Sequence, residues 1–139
     1  MGTRSRIGLR LPDASILSVY CHWDGYPEYV GIKLVENFNT HDKVAELIDG
    51  GNMSSVWTDE GWGRDETREL SPLYYTERGE SIDDNLPLKH DNIGEYLKYG
   101  KESDTEFVYI FNGEWTCYNV RSWEGSPNVE TIPEVSNAN

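Results

Sequence analysis

Basic residues are scarce in this chain. Its 139 residues carry 12 Lys and Arg against 25 Asp and Glu, for a formal charge of −13. Direct binding to nucleic acid needs clustered Lys and Arg that displace counterions from the phosphates. The one local cluster is Arg4, Arg6 and Arg10, so direct nucleic-acid binding is not expected. Long apolar runs are missing too. No stretch approaches the roughly 20 residues of a membrane span, and no basic-then-apolar leader is present, so the expectation is a chain without a membrane that stays in the compartment where it is made. Cysteine is limited to Cys21 and Cys117, 96 positions apart. That spacing builds no disulfide framework and fits free, buried thiols in a reducing cytosol.

Complete chemical signatures are equally absent. His22, His41, His90 and the two cysteines form no metal-like pair in sequence, and the glycine spacing matches no phosphate loop. No cofactor is expected, and the balance leans away from an enzyme. The acids that are present gather in the middle: residues 59 to 106 hold fourteen against six bases, whereas residues 1 to 58 hold seven against five. An acidic surface keeps a protein soluble and also suits a basic protein partner, including one whose DNA site spaced carboxylates would occupy.

Aromatic residues make up 12% of the chain and offset an apolar fraction of only 37%, because each buried ring removes a large area from water. One domain over residues 1–124 is expected, with a disordered tail over 125–139. "RSRIGLRLP" alternates, placing Ile7, Leu9 and Leu11 on one side and Arg6, Gly8 and Arg10 on the other. After the turn "PDAS", "SILSVYCHW" completes a hairpin. Leu17, Val19, Cys21 and Trp23 then share one face, and Ile16, Ser18, Tyr20, His22 and Asp24 the other. The period changes at "WDGYPEYVGIKLVENF", which reads as a helix with Asp24 or Gly25 as cap and Pro27 in its first turn. "NTHDKVAELIDGG" reads as a second helix capped by Thr40 and stopped at Gly50 or Gly51. Residues 51–89 are irregular, with a strand expected at "LYYTE" and packing through Trp57, Tyr74 and Tyr75. "HDNIGEYLKYG" predicts a third helix ending at Gly100, and "TEFVYIFNGEWTCYNV" a C-terminal hairpin with a two-residue turn at Asn112 and Gly113. The predicted fold class is α+β: an antiparallel sheet of an N-terminal and a C-terminal hairpin, with two or three helices packed on one face.

"SVYCHWDGYPEYVG" is the densest chemical stretch. Strand alternation sends Cys21 and His22 to opposite faces, so they form no nucleophile-base pair. His22 and Asp24 fall on the same side, near the hydroxyls of Tyr20 and Tyr26. Together with "GTRSRIG" and "YYTERGE", this stretch resembles a family of small uncharacterised bacteriophage proteins, over roughly residues 2 to 80. No activity is established for the family, so no residue role carries over. The resemblance implies an accessory protein acting in the cytoplasm of the bacterial host, and such proteins often bind a host protein or a defence component.

The expected function is therefore a phage accessory protein that binds and modulates a host protein or defence component through an acidic, aromatic-rich surface. Its candidate binding residues are His22, Asp24, Tyr26, Trp62 and Arg78, chosen because Tyr, Trp and Arg dominate interface anchors. The alternative is a small-ligand site, with a nucleotide as ligand, or a small enzyme, around His22 and Asp24. A self-assembling phage component is a third reading.

Overall fold

The computed structural model describes residues 3–22, 25–56, 73–103, 105–120, 128–130 and 132. The N-terminal hairpin pairs β1 (Ser5–Arg10) with β2 (Ile16–Cys21), Gly8 standing opposite Ser18 and Leu9 opposite Leu17. Its turn closes when the Leu11 N–H donates to the Ser15 carbonyl at 2.8 Å. Beyond β2, a π-helical turn over Pro27–Gly31 runs straight into α1 (Ile32–Asn37). Tyr26 holds the N-cap position and makes no side-chain cap bond, so the expected capping by Asp24 or Gly25 is corrected. Gly25 is held another way, its N–H donating to Thr3 at 2.8 Å and its carbonyl accepting from the Tyr109 hydroxyl at 2.7 Å.

The second helix, α2 (His41–Asp49), is capped as expected by Thr40, whose side chain accepts from the Lys43 N–H at 3.2 Å. It ends at Gly50, and Gly51 reverses the chain at a φ of +86°, a conformation that glycine reaches without penalty. Two short strands follow, β3 (Met53–Ser55) and β4 (Leu73–Tyr74), the second at the start of "LYYTE" and continuing as a 3₁₀ turn over Tyr75–Arg78. Tyr74 packs against the core, as expected; Trp57 lies outside the described residues. After a second 3₁₀ turn at Ile82–Asp84 come β5 (Leu88–His90) and α3 (Ile93–Glu102). The chain then forms β6 (Phe107–Phe111), β7 (Trp115–Asn119) and β8 (Asn128–Glu130).

These strands make one eight-stranded sheet in the order β4-β3-β2-β1-β6-β7-β8, with β5 also paired to β2. The fold is α+β, and the sheet is mixed. Each hairpin is antiparallel, but the two meet where β1 runs parallel to β6. The cause is the crossover from β5 through α3 to β6: β5 is antiparallel to β2, and α3 carries the chain back so that β6 enters in the direction of β1. The sheet is covered on both faces. Ile7, Leu9, Val19, Tyr109, Phe111 and Cys117 pack beneath α1 and α2, including Leu34, Val44, Leu47 and Ile48. On the opposite face Ile16, Val108, Ile110 and Val120 pack around Tyr96 of α3. The two helices expected on one face are therefore there, and the third lies across the sheet from them.

Three local expectations are corrected. Gly100 does not end α3, which continues to Glu102. It lies inside the helix, at a position where a Cβ would come 2.7 Å from a Val108 methyl. The C-terminal turn contains three residues, since Phe111 and Trp115 form the last pair and Gly113 alone takes a positive φ, of +83°. In the tail expected to be disordered, residues 128–130 pair with β7, and Ile132 packs against the core. Cys21 and Cys117 are both buried, and neither is in a disulfide.

Candidate functional site

The residues singled out in the sequence do not all meet in the described structure. His22 follows β2, its N–H donating to the Met53 carbonyl at 3.2 Å, and its Nδ1 lies 2.7 Å from the Tyr20 hydroxyl. Tyr26 is 36% exposed just before the π-helical turn. Asp24 and Trp62 lie outside the described residues. Arg78 is placed at the end of the 3₁₀ turn, and its side chain is outside the described set. The pairing of His22 with Tyr20 follows from the alternation of β2, which puts both side chains on one face.

The same face carries a buried polar cluster that the sequence reading missed. Arg6 of β1 is only 4% exposed, and its Nε donates to the Ser18 hydroxyl at 3.0 Å while Nη2 donates to the Ser18 carbonyl at 3.2 Å. The Ser18 hydroxyl lies 2.8 Å from Nε2 of His90. The serine oxygen has room for two donors, so either the Ser18 hydroxyl donates to His90 Nε2 or a His90 Nε2–H donates to it, according to the imidazole tautomer. The His90 ring lies 5.0 Å from Tyr96 and 5.1 Å from Tyr99, and the Tyr99 ring sits 5.1 Å from the Arg6 guanidinium carbon. Burial, helped by the positive charge of Arg6, pushes His90 down to about 4, so the imidazole is neutral at physiological pH. Burial also lowers Arg6 and raises the Tyr96 hydroxyl, which donates to the Tyr109 carbonyl at 3.0 Å.

Serine beside a neutral imidazole has the form of a nucleophile and its base. Here the arrangement does structural work, because Ser18 is 0% exposed and no substrate reaches its oxygen. Arg6 and Ser18 were legible as members of the polar faces of the two hairpin strands. Their partner His90 comes from 72 positions away, and nothing in the local pattern links it to Ser18.

Outside this cluster lies an open depression of about 240 Å³ between β5 and α3. Its strand side is Lys89, His90 and Asp91; its helix side is Glu95, Lys98, Tyr99 and Glu102. A second depression, of about 280 Å³, lies where Leu9 and Arg10 meet His41 and Phe111. The adjoining α2 N-terminus is already capped by Thr40. Neither depression is lined by His22 or Tyr26. Among the described residues no three His, Cys, Asp or Glu side chains converge to hold a metal ion, and no helix is long and apolar enough to cross a membrane.

The stretch of chain from Glu80 to Glu102, which includes the lining of the first depression, exposes both acid and apolar groups. Of the large hydrophobic side chains left exposed among the described residues, Ile82, Leu86, Leu88 and Tyr99 fall in one segment, at 44%, 51%, 39% and 37% exposure. Glu80, Asp83, Asp84, Asp91, Glu95 and Glu102 are exposed in the same segment. Leu88 and His90 leave β5 on one side, the side where Tyr99 lies against His90. Comparison with known proteins adds nothing to this geometry: no protein-family model, no curated protein and no solved structure matches the chain.

Proposed function

We propose that this chain is a non-enzymatic bacteriophage accessory protein that binds a host protein or defence component through the segment from Glu80 to Glu102. The observation that carries the reading is the exposure of Ile82, Leu86, Leu88 and Tyr99 among six exposed carboxylates. Large apolar side chains grouped within a polar rim are the usual make-up of a docking surface. The acidic rim selects a partner with basic groups and speeds its encounter, since opposite surface charge steers association. The phage origin and the host cytoplasm as its place of action rest on the resemblance of "GTRSRIG" and "SVYCHWDGYPEYVG".

Affinity capture from bacterial lysate tests the reading. Immobilised wild-type chain should retain a defined protein, weakly at high salt because surface charges are screened. The Leu86→Ser/Leu88→Ser variant, altered only at exposed positions, should lose it. Equal retention by the two chains overturns the proposal.

A further inference from the structure

One buried side chain fastens β5 to the sheet. Leu88 and Lys89 are exposed, and His90 alone of the three residues is buried. Lys89 reaches Asp13 at 3.8 Å, but that ion pair is exposed and contributes little. The backbone bonds of β5 follow from the alternation of β2. The His22 N–H donates to the Met53 carbonyl of β3, and the Tyr20 N–H to Asn52 Oδ1 just before it, so both point away from β1. Even-numbered residues of β2 therefore turn their backbone groups from β1: Ile16 and Ser18 pair with His90 and Leu88, whereas Leu17 and Val19 pair with β1. The chain is anchored on either side of β5. The Asn85 carbonyl accepts from the Asn52 N–H at 2.9 Å, and Tyr96 seats α3 in the core.

His90 shares the Ser18 hydroxyl with Arg6, Nε2 of the one at 2.8 Å and Nε of the other at 3.0 Å. A proton on the imidazole sets two cations across one buried oxygen, and like charges that cannot reach water disfavour each other. The other titratable or charged groups around the ring are Tyr20 of β2, beside Arg6; Tyr96, Tyr99, Glu95, Lys98 and Glu102 of α3; and Lys89 and Asp91 next to it on the chain. The carboxylates and ammonium groups among these are exposed, so water screens them, and Arg6 is the charge that acts on the ring. We propose that His90 is a proton-operated latch: when its imidazole is protonated, residues 86–91 leave the edge of β2 while the strands from β1 to β7 and the seat of α3 stay in place. The anchors at Asn85 and Tyr96 confine the opening to that segment, and the exposure of Leu86 and Leu88 leaves little apolar burial to resist it. The buried ring titrates near 4 and a released one near 6.5, so protons favour the open form.

Amide hydrogen exchange of the full chain by NMR, at pH 7 and at pH 5, tests the latch without any partner, so its outcome is separate from that of the docking reading. Both values lie above the ordinary carboxylate range, and each rate is corrected for the intrinsic pH dependence of its amide. Between them the opening seen at the Ile16 and Ser18 amides should grow about tenfold, the effect expected of one group titrating in that window. The Leu17 and Val19 amides, bonded to β1, and those of residues 107–111 should keep their opening unchanged, giving an alternating response along β2. His90→Gln, which carries no charge at either pH and can still bond Ser18, should abolish the growth; if that variant does not fold, the alternation in the wild type decides. The proposal is overturned if Ile16 and Ser18 show no growth, if Leu17 and Val19 open in step with them, or if folded His90→Gln responds as the wild type does.

Discussion

Ser18 stands between two buried groups that depend on one oxygen. Its hydroxyl accepts from Arg6 and reaches His90 at 2.8 Å. Ser18→Ala therefore leaves an arginine Nε and an imidazole Nε2 short of a partner at once. Unfolding in urea should show a loss of about 1–3 kcal/mol, the usual range for stranding a buried polar group. His90 makes stability depend on pH. Its folded value is about 4 against an ordinary 6.5, so between those two values the unfolded chain holds a proton that the folded chain does not. This contribution is complete above pH 6.5, declines as pH falls through that window, and is fully lost below about pH 4. Each pH unit in the window is worth about 1.4 kcal/mol, and discounting for the open side of the ring leaves a loss of about 1–2 kcal/mol. Denaturant titrations at pH 7 and pH 4 should differ by that amount in the wild type and by less in His90→Gln. An equal pH dependence in both chains would remove His90 as the source.

At the scale of elements, tight contacts account for the glycines that interrupt otherwise regular runs. A Cβ at Gly8 would lie 2.8 Å from an Ile16 methyl and 3.0 Å from the Tyr96 ring, so Gly8 lets α3 seat its tyrosine on β1. Gly8→Ala should cost about 1–3 kcal/mol by overpacking, with the thermal midpoint as the readout; an unchanged midpoint would mean that α3 is not fixed there. Ala14, in the β1–β2 turn, holds a φ of +73°, a conformation that disfavours any side chain. Ala14→Gly should stabilise the protein by about 0.5–1 kcal/mol in the same assay, since glycine takes positive φ without the steric cost, and a loss would contradict the turn geometry.

Much of this level was legible in the sequence. The alternation of Ile7, Leu9, Val19 and Cys21 gave both hairpin strands their faces, and Thr40 marked a helix start through the bond it accepts from Lys43. The rest depended on distant partners. Gly100 reads locally as a helix stop, and only the close approach of Val108, a distant partner, accounts for a glycine inside the helix. The strand at 128–130 gains its stability from β7, which a scan for apolar density does not register. The site was less legible than the fold, since Arg6, Ser18 and His90 lie on three strands whose register no local pattern reveals.

For the whole molecule, the formal charge of −13 and the mixed sheet place exposed acid and exposed apolar groups together on the segment that contains β5 and α3. Binding through that face predicts an on-rate that falls steeply with ionic strength, because long-range steering is screened beyond a Debye length of about 8 Å at physiological salt. Stopped-flow association with the captured partner measures it; a rate indifferent to salt would separate the acidic charge from recognition. Hydrogen exchange on the same complex tests most directly whether the β5–α3 face is the binding surface. Amides over residues 82–99 should exchange more slowly with the partner bound, while those of residues 20–22 and 25–26 keep their free-state rates. Protection at 20–22 and 25–26, with 82–99 unchanged, would contradict that assignment and return the binding surface to the junction of His22 and Tyr26.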